Sequence, residues 1–232
     1  YQWHLNNTGQ TNFATNAGTA GQDLNVDSVI VDGVTGNGIK ISIVDDGLEI
    51  AHEDLVDNII GGSWNFLDSS SDPTNLSSDT SGGHGTSIAG LIAAKGWNNK
   101  GGRGIAPNAS IFGYNLLAER ALYPVSENNG ALGVNSQGGV TADIYNMSYG
   151  AAYEEDDEGD LLLYYDLPSY VTSIQEQKYI NGTSNLRDGK GANYVWAAGN
   201  EYNDSSVTDV CGTGQPLSCT ETSIDSDNAM PY

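Results

Sequence analysis

Ile39-Lys-Ile-Ser-Ile-Val-Asp-Asp-Gly47 is a β-branched run that ends, without a spacer, in two carboxylates and a glycine. Glycines bound it on both sides, which predicts a central strand over 39–44. In open α/β sheets the reactive groups gather at the carboxyl ends of strands, so Asp45 stands where chemistry is done. Asp-Gly is equally ordinary turn chemistry, and this stretch alone leaves both readings open.

Downstream, His52-Glu-Asp54 leads to a strand expected at 58–66 and a Ser- and Asp-rich loop over 67–83. That loop delivers the chain to Ser81-Gly-Gly-His-Gly-Thr-Ser-Ile-Ala-Gly90. The uncharged, small and apolar run from Thr86 to Ala94 predicts a buried helix, with His84 in its first turn. A glycine loop over 95–104 precedes a strand at 109–117. Another strand, expected over 140–148, ends in Ser148-Tyr-Gly150. The densest charge run, 153–159, comes next. Pro168 then opens a helix over 169–180, with Ser169 as N-cap and Asn181-Gly182 as stop. A last strand over 191–200 terminates at Asn200. Strands alternating with helices argue for a parallel sheet.

Upstream, residues 1–38 form an extended arm anchored by Trp3, Leu5 and Phe13, with a short helix over 26–34 that Asn25 could cap. Residues 201–232 are a polar loop carrying Cys211 and Cys219. No internal repeat or low-complexity linker divides the chain, and 232 residues suffice for one sizeable core.

Thirty acidic residues against eight basic ones give a net charge of −22. Such a surface repels phosphate backbones and anionic membranes, so neither nucleic acid nor membrane is an expected partner. It attracts basic partners and divalent cations, although most of these charges serve solubility. No apolar run approaches the roughly 20 residues of a membrane-spanning helix, and no charged-then-apolar leader opens the chain. Cys211 and Cys219 lie in a Gly- and Thr-rich loop that would not bury a thiol. A disulfide between them would stabilise by about 2.5 kcal/mol in the chain-entropy model and would indicate an oxidising, extracellular or periplasmic setting; two free thiols are the alternative.

Four motifs in order, Val44-Asp-Asp-Gly47, His84-Gly-Thr86, Ser148-Tyr-Gly150 and Trp196-Ala-Ala-Gly-Asn200, resemble those of the subtilisin-like serine proteases. The doubled Asp45-Asp46 and the Trp-Ala-Ala-Gly-Asn ending are similar to the kexin and furin branch. The resemblance implies a doubly wound α/β fold with a mostly parallel central sheet, incomplete at its C-terminal end. It implies that Asp45 orients His84, that His84 is the general base, and that Asn200 donates to the oxyanion. The nucleophile is then expected beyond Tyr232, because Gly182-Thr-Ser184 precedes Asn200 and Gly85-Thr-Ser87 belongs to the histidine motif. The implied substrates are proteins or peptides with basic, paired residues. Ser148 and Gly150 would pair with the substrate backbone. Asp46, Asp156 and Asp157 would face its basic side chains, although Tyr149 departs from the branch's Trp and Ala151-Ala-Tyr153 interrupts the alignment.

The same resemblance implies calcium, a hard cation that takes oxygen ligands. Its expected ligands are Asp54, Lys95, Asn98, Lys100 and Gly102, with Asp68 and Asp72 as a second group. Further implied partners are the remainder of the peptidase domain and a propeptide or chaperone-like inhibitor, as for a secreted zymogen. Two rivals remain open: a catalytically dead module that binds basic peptides, and an acidic calcium-binding scaffold without chemistry.

Overall fold

The computed structural model describes residues 2–12, 15–75, 83–117, 129–133, 139–149, 152–155, 161–164 and 173–197. Its elements in chain order are α1 (Asp27–Val31), β1 (Lys40–Val44), a 3-10 turn (Val56–Asn58), α2 (His84–Ala93), β2 (Ser110–Tyr114), a 3-10 turn (Asn129–Leu132), β3 (Ile144–Met147), β4 (Ala152–Glu155), β5 (Leu161–Tyr164), α3 (Ser173–Gly189) and β6 (Asn193–Trp196). Four of the strands form one sheet in the order β2-β1-β3-β6, and every pairing in it is parallel. The chain leaves β1 toward β2, then returns to the other side of β1 with β3. That reversal is the switch point of a doubly wound sheet, and it lies at the end of β1.

Alternation along the strands sorts the core into two layers. Ile41 and Ile43 of β1 and Ile111 of β2 face α2, where Ala89 and Ala93 pack on them with Leu48 and Leu55. Val44, Phe112, Tyr114, Tyr145 and Met147 face the opposite side, where Tyr179 and Leu186 of α3 cover them. Tyr145 and Tyr194 stack at 5.0 Å between ring centres, and Tyr179 meets Trp196 edge-on at 4.8 Å. Small residues let α2 lie close to the sheet, whereas aromatic rings fill the wider layer under α3.

Three expectations are corrected, and one element is added. Residues 58–66 do not form a continuous strand but touch β2 through two isolated parallel bridges, Ile59 with Ile111 and Trp64 with Tyr114. The segment has more residues between those bridges than β2 does, and the excess bulges at Gly61-Gly62, where Gly62 has φ 120°. Asn25 does not cap α1: its φ is 52°, and Val26 occupies the N-cap with no side-chain cap bond. The helix expected to stop at Asn181-Gly182 continues to Gly189, losing helical geometry only at Leu186–Asp188. Gly182 is there for close approach, since a side chain at this point would run into the Tyr194 hydroxyl. Finally, the acidic run contributes a strand: β4 pairs antiparallel with β5, from Ala152 opposite Tyr164 to Glu155 opposite Leu161.

Candidate active site

Asp45 extends β1 by one residue. Its N–H donates to the Tyr114 carbonyl at 3.1 Å and its own carbonyl accepts from Leu117 N–H at 3.0 Å. The backbone is thereby fixed on both sides before the side chain is considered. The carboxyl is fully buried, and Oδ1 accepts from the Asp46 N–H at 2.8 Å. Burial pushes the Asp45 carboxyl above its usual range, while the hydrogen bonds from His84 and the Asp46 N–H oppose that rise. Oδ2 has no hydrogen-bond partner among the described residues, which adds to the cost of charging the group.

His84 is the first residue of α2, entered through Gly83 at φ 109°, a conformation suited to glycine. Its Nδ1 lies 2.8 Å from Asp45 Oδ1. An ionised carboxylate can only accept, so Nδ1 carries the proton and Nε2 presents a lone pair. The carboxylate is 0% exposed and the imidazole 50% exposed, so one nitrogen is held inside while the ring opens to solvent. Gly85 permits this approach: a Cβ there would fall 2.8 Å from the Asp45 Cβ and collide with the Gly47 carbonyl. The Thr86 hydroxyl accepts from Glu49 N–H at 2.9 Å, tying the helix to the loop after β1. A buried acid thus orients a half-exposed base at the switch point of a parallel sheet.

Residues 36–232 match the subtilase family. The chain belongs to that family. It is 36% identical over 232 residues to the Aeromonas extracellular serine protease of Aeromonas sobria, covering 98% of this chain and 35% of that protein. It is 32% identical to the dibasic-processing endoprotease of Schizosaccharomyces pombe, covering 100% of this chain and 29% of the relative. Among solved structures, the Aeromonas sobria serine protease in complex with its chaperone superposes with a TM-score of 0.72 at 38% identity, covering 87% of this chain and 31% of that one. The chain therefore spans about a third of the length of these relatives.

In this subtilase Ser148 lies just past the end of β3, beside β1, and its hydroxyl accepts from Asn146 Nδ2 at 2.9 Å. Asp46 follows Asp45, but its carboxylate points toward the start of α2: Oδ1 accepts from Gly85 N–H at 2.8 Å. Gly150, Asp156, Asp157, Asn200, Cys211 and Cys219 lie outside the described residues.

The residues expected to hold calcium come together only in part. Asp54 is buried; its Oδ1 accepts from Asn98 Nδ2 at 2.7 Å and its Oδ2 from Gly102 N–H at 2.9 Å. Lys95 donates its N–H to the Asp54 carbonyl at 2.8 Å, while its Nζ turns away to Asn58 and Asn108. Lys100 N–H binds Asn98 Oδ1 at 3.1 Å. Gln2, which its position in the sequence does not single out, grips the same loop: Nε2 donates to the Arg103 carbonyl and Oε1 accepts from Arg103 N–H, each at 2.8 Å. Asp54 has no ion pair among the described residues; two neutral donors answer a buried carboxylate, and its neighbour Asn98 brings a further oxygen. That oxygen set suits a hard cation, with Asn98 turning its amide over to present Oδ1. Asp68 and Asp72 instead close their own turns, accepting from Ser70 N–H at 2.9 Å and Thr74 N–H at 3.0 Å. Among the described residues no group of three or more His, Cys, Asp or Glu converges.

Proposed function

We propose that this chain supplies the acid–base half of a serine endopeptidase that cleaves after basic, paired residues through an acyl-enzyme, with the nucleophilic serine beyond residue 232. The observation that carries the reading is the 2.8 Å contact between the buried Asp45 and the half-exposed His84. His84 Nε2 takes the proton of the serine hydroxyl as its oxygen attacks the scissile carbonyl, and Asp45 stabilises the imidazolium that forms. The same proton then passes to the leaving amine, and water repeats the sequence to release the acid. Asn200 donates to the oxyanion, and Ser148 and Gly150 offer backbone to the substrate. Asp156 and Asp157 favour basic side chains, a preference in keeping with the dibasic processing for which the Schizosaccharomyces pombe relative is named.

Asp54, Asn98 and the carbonyls of Lys95, Lys100 and Gly102 would hold calcium, which supplies charge neutralisation and loop rigidity rather than a chemical step. Secretion, the Cys211–Cys219 disulfide and a propeptide or chaperone partner belong to the same proposal, supported by an extracellular relative and one solved with a chaperone. So does the division into an arm (1–38), a core (39–200) and a cysteine loop (201–232).

The test applies a fluorophosphonate probe to the full-length mature protein, with and without chelator, while cleavage of a Lys-Arg peptide is compared with that of a Phe-terminated one. Label on a serine beyond residue 232 with calcium-supported cleavage of the basic peptide alone is expected. No label and no cleavage by folded protein would leave only a peptide-binding module.

A further inference from the structure

Both oxygens of Asp46 are directed into the protein. Oδ1 accepts from Gly85 N–H at 2.8 Å. Oδ2 accepts from the N–H groups of Gly83 and His84, each at 3.2 Å, and from Asn75 Nδ2 at 3.3 Å. Helix geometry leaves the first N–H groups of α2 without intrahelical partners. The usual remedy is a side-chain oxygen at the N-cap, but that residue is Gly83 and provides no cap bond. A carboxylate distant in sequence takes its place, and its charge also suits the positive end of the helix.

An ionised carboxylate has about four acceptor positions. Gly83, His84 and Asn75 fill Oδ2, and Gly85 takes one of the two positions on Oδ1. The donors also surround one particular residue. Asp45 holds the His84 ring, while Asp46 holds the backbone from which that ring projects. The two carboxylates are consecutive on a chain anchored to Tyr114 and Leu117, so the ring and its backbone share one rigid reference.

We infer that Asp46 is a positioning residue for His84, acting on every substrate alike through the backbone of the helix start, beside any contact its open Oδ1 position makes with a basic side chain. Its catalytic consequence rests on the proposed protease function; its structural part does not. The full-length mature protein and its Asp46→Asn and Asp46→Ala variants are compared in two ways. One is the ring nitrogen and Nδ1 proton resonances of His84, which report the contact with Asp45 whether or not the protein cleaves anything. The other is kcat and KM on two peptides that share a basic residue before the scissile bond and carry Lys or Ala in front of it.

The expected result is a broadened or shifted His84 Nδ1 proton in both variants, with kcat lower by roughly tenfold or more for both peptides, as for loss of a charge-assisted bond. Asn keeps one acceptor oxygen and retains more activity than Ala. An unchanged Nδ1 proton with a KM increase confined to the Lys peptide overturns the inference, as does an unchanged Nδ1 proton with unchanged kinetics. A shifted Nδ1 proton in a protein whose unaltered form cleaves neither peptide refutes the protease reading and leaves the positioning role standing.

Discussion

Replacing Gly85 by alanine sets two opposed effects against each other. In an ordinary helix the change would gain up to about 1 kcal/mol, because alanine loses less backbone freedom. At this position the new Cβ lies 2.8 Å from the Asp45 Cβ and 3.2 Å from Asp46 Oδ1, and it overlaps the Gly47 carbonyl oxygen. The Gly47 oxygen and the Asp45 Cβ move only with the backbone, and Asp46 Oδ1, though a side-chain end, is held by the Gly85 N–H. Asp45 is held by Tyr114 and Leu117, so α2 must retreat, and overpacking of this kind costs about 1–3 kcal/mol. The clash offsets or outweighs the propensity gain, for a net loss of up to about 2 kcal/mol. The same retreat stretches the 2.8 Å contact between His84 and Asp45, and a displacement approaching 1 Å can lower turnover about 100-fold. Urea unfolding and kcat on a basic peptide, both on the full-length mature protein, measure the two consequences. A Gly85→Ala protein at least as stable as the original, with unchanged kcat, would refute this account of why the histidine is followed by glycine.

Asp45→Asn separates stability from function. Burial raises the folded-state pKa of Asp45, so its stabilising contribution is complete below the unfolded value near 4 and is lost as pH rises through the folded value. At neutral pH the neutral Asn should therefore unfold at higher urea concentration, while kcat falls by a factor on the order of 10⁴, as in the serine-protease precedent; a lower midpoint at neutral pH with equal stability at pH 3 would contradict the sign. Chelation should lower the melting temperature of the unaltered protein but not of Asp54→Ala, with a loss of about 2.7 kcal/mol if calcium stands at a hundred times its Kd; equal chelator sensitivity in both would remove Asp54 from the site. Gly182→Ala drives a methyl into Tyr194, whose hydroxyl donates to the Leu132 carbonyl at 2.8 Å, and should destabilise by about 1–3 kcal/mol without altering KM; a neutral effect on the urea midpoint would show that α3 can move away.

What was legible in the sequence was whatever depends on periodicity and local chemistry. The β-branched run ending in Asp45 is β1, and the small apolar run after His84 is α2, because burial on a parallel sheet demands those compositions regardless of neighbours. The errors arose where a residue answers to something distant. Gly182 reads as a helix stop in isolation, but its missing side chain accommodates Tyr194 from β6. Gln2 has no local signal, because its partner Arg103 lies beyond the reach of any sequence window.

Asp46 joins these two kinds of information. Position places its neighbour Asp45 at the end of a central strand, where a buried acid is useful, and the motif resemblance implies its role. No spacing rule assigns Asp46, because the requirement it meets is created by Gly83. The chain reaches His84 through a residue with φ 109° that contributes no cap bond, leaving N–H groups at the helix start in need of an acceptor. The doubled aspartate answers two demands of a single histidine, one from its ring and one from its backbone. Exchanging the two functions is not possible: Asp45 Oδ1 is on the ring at 2.8 Å and Asp46 Oδ1 on the Gly85 N–H at 2.8 Å, each at hydrogen-bond distance and each set by its place on a strand end that the sheet does not allow to slide.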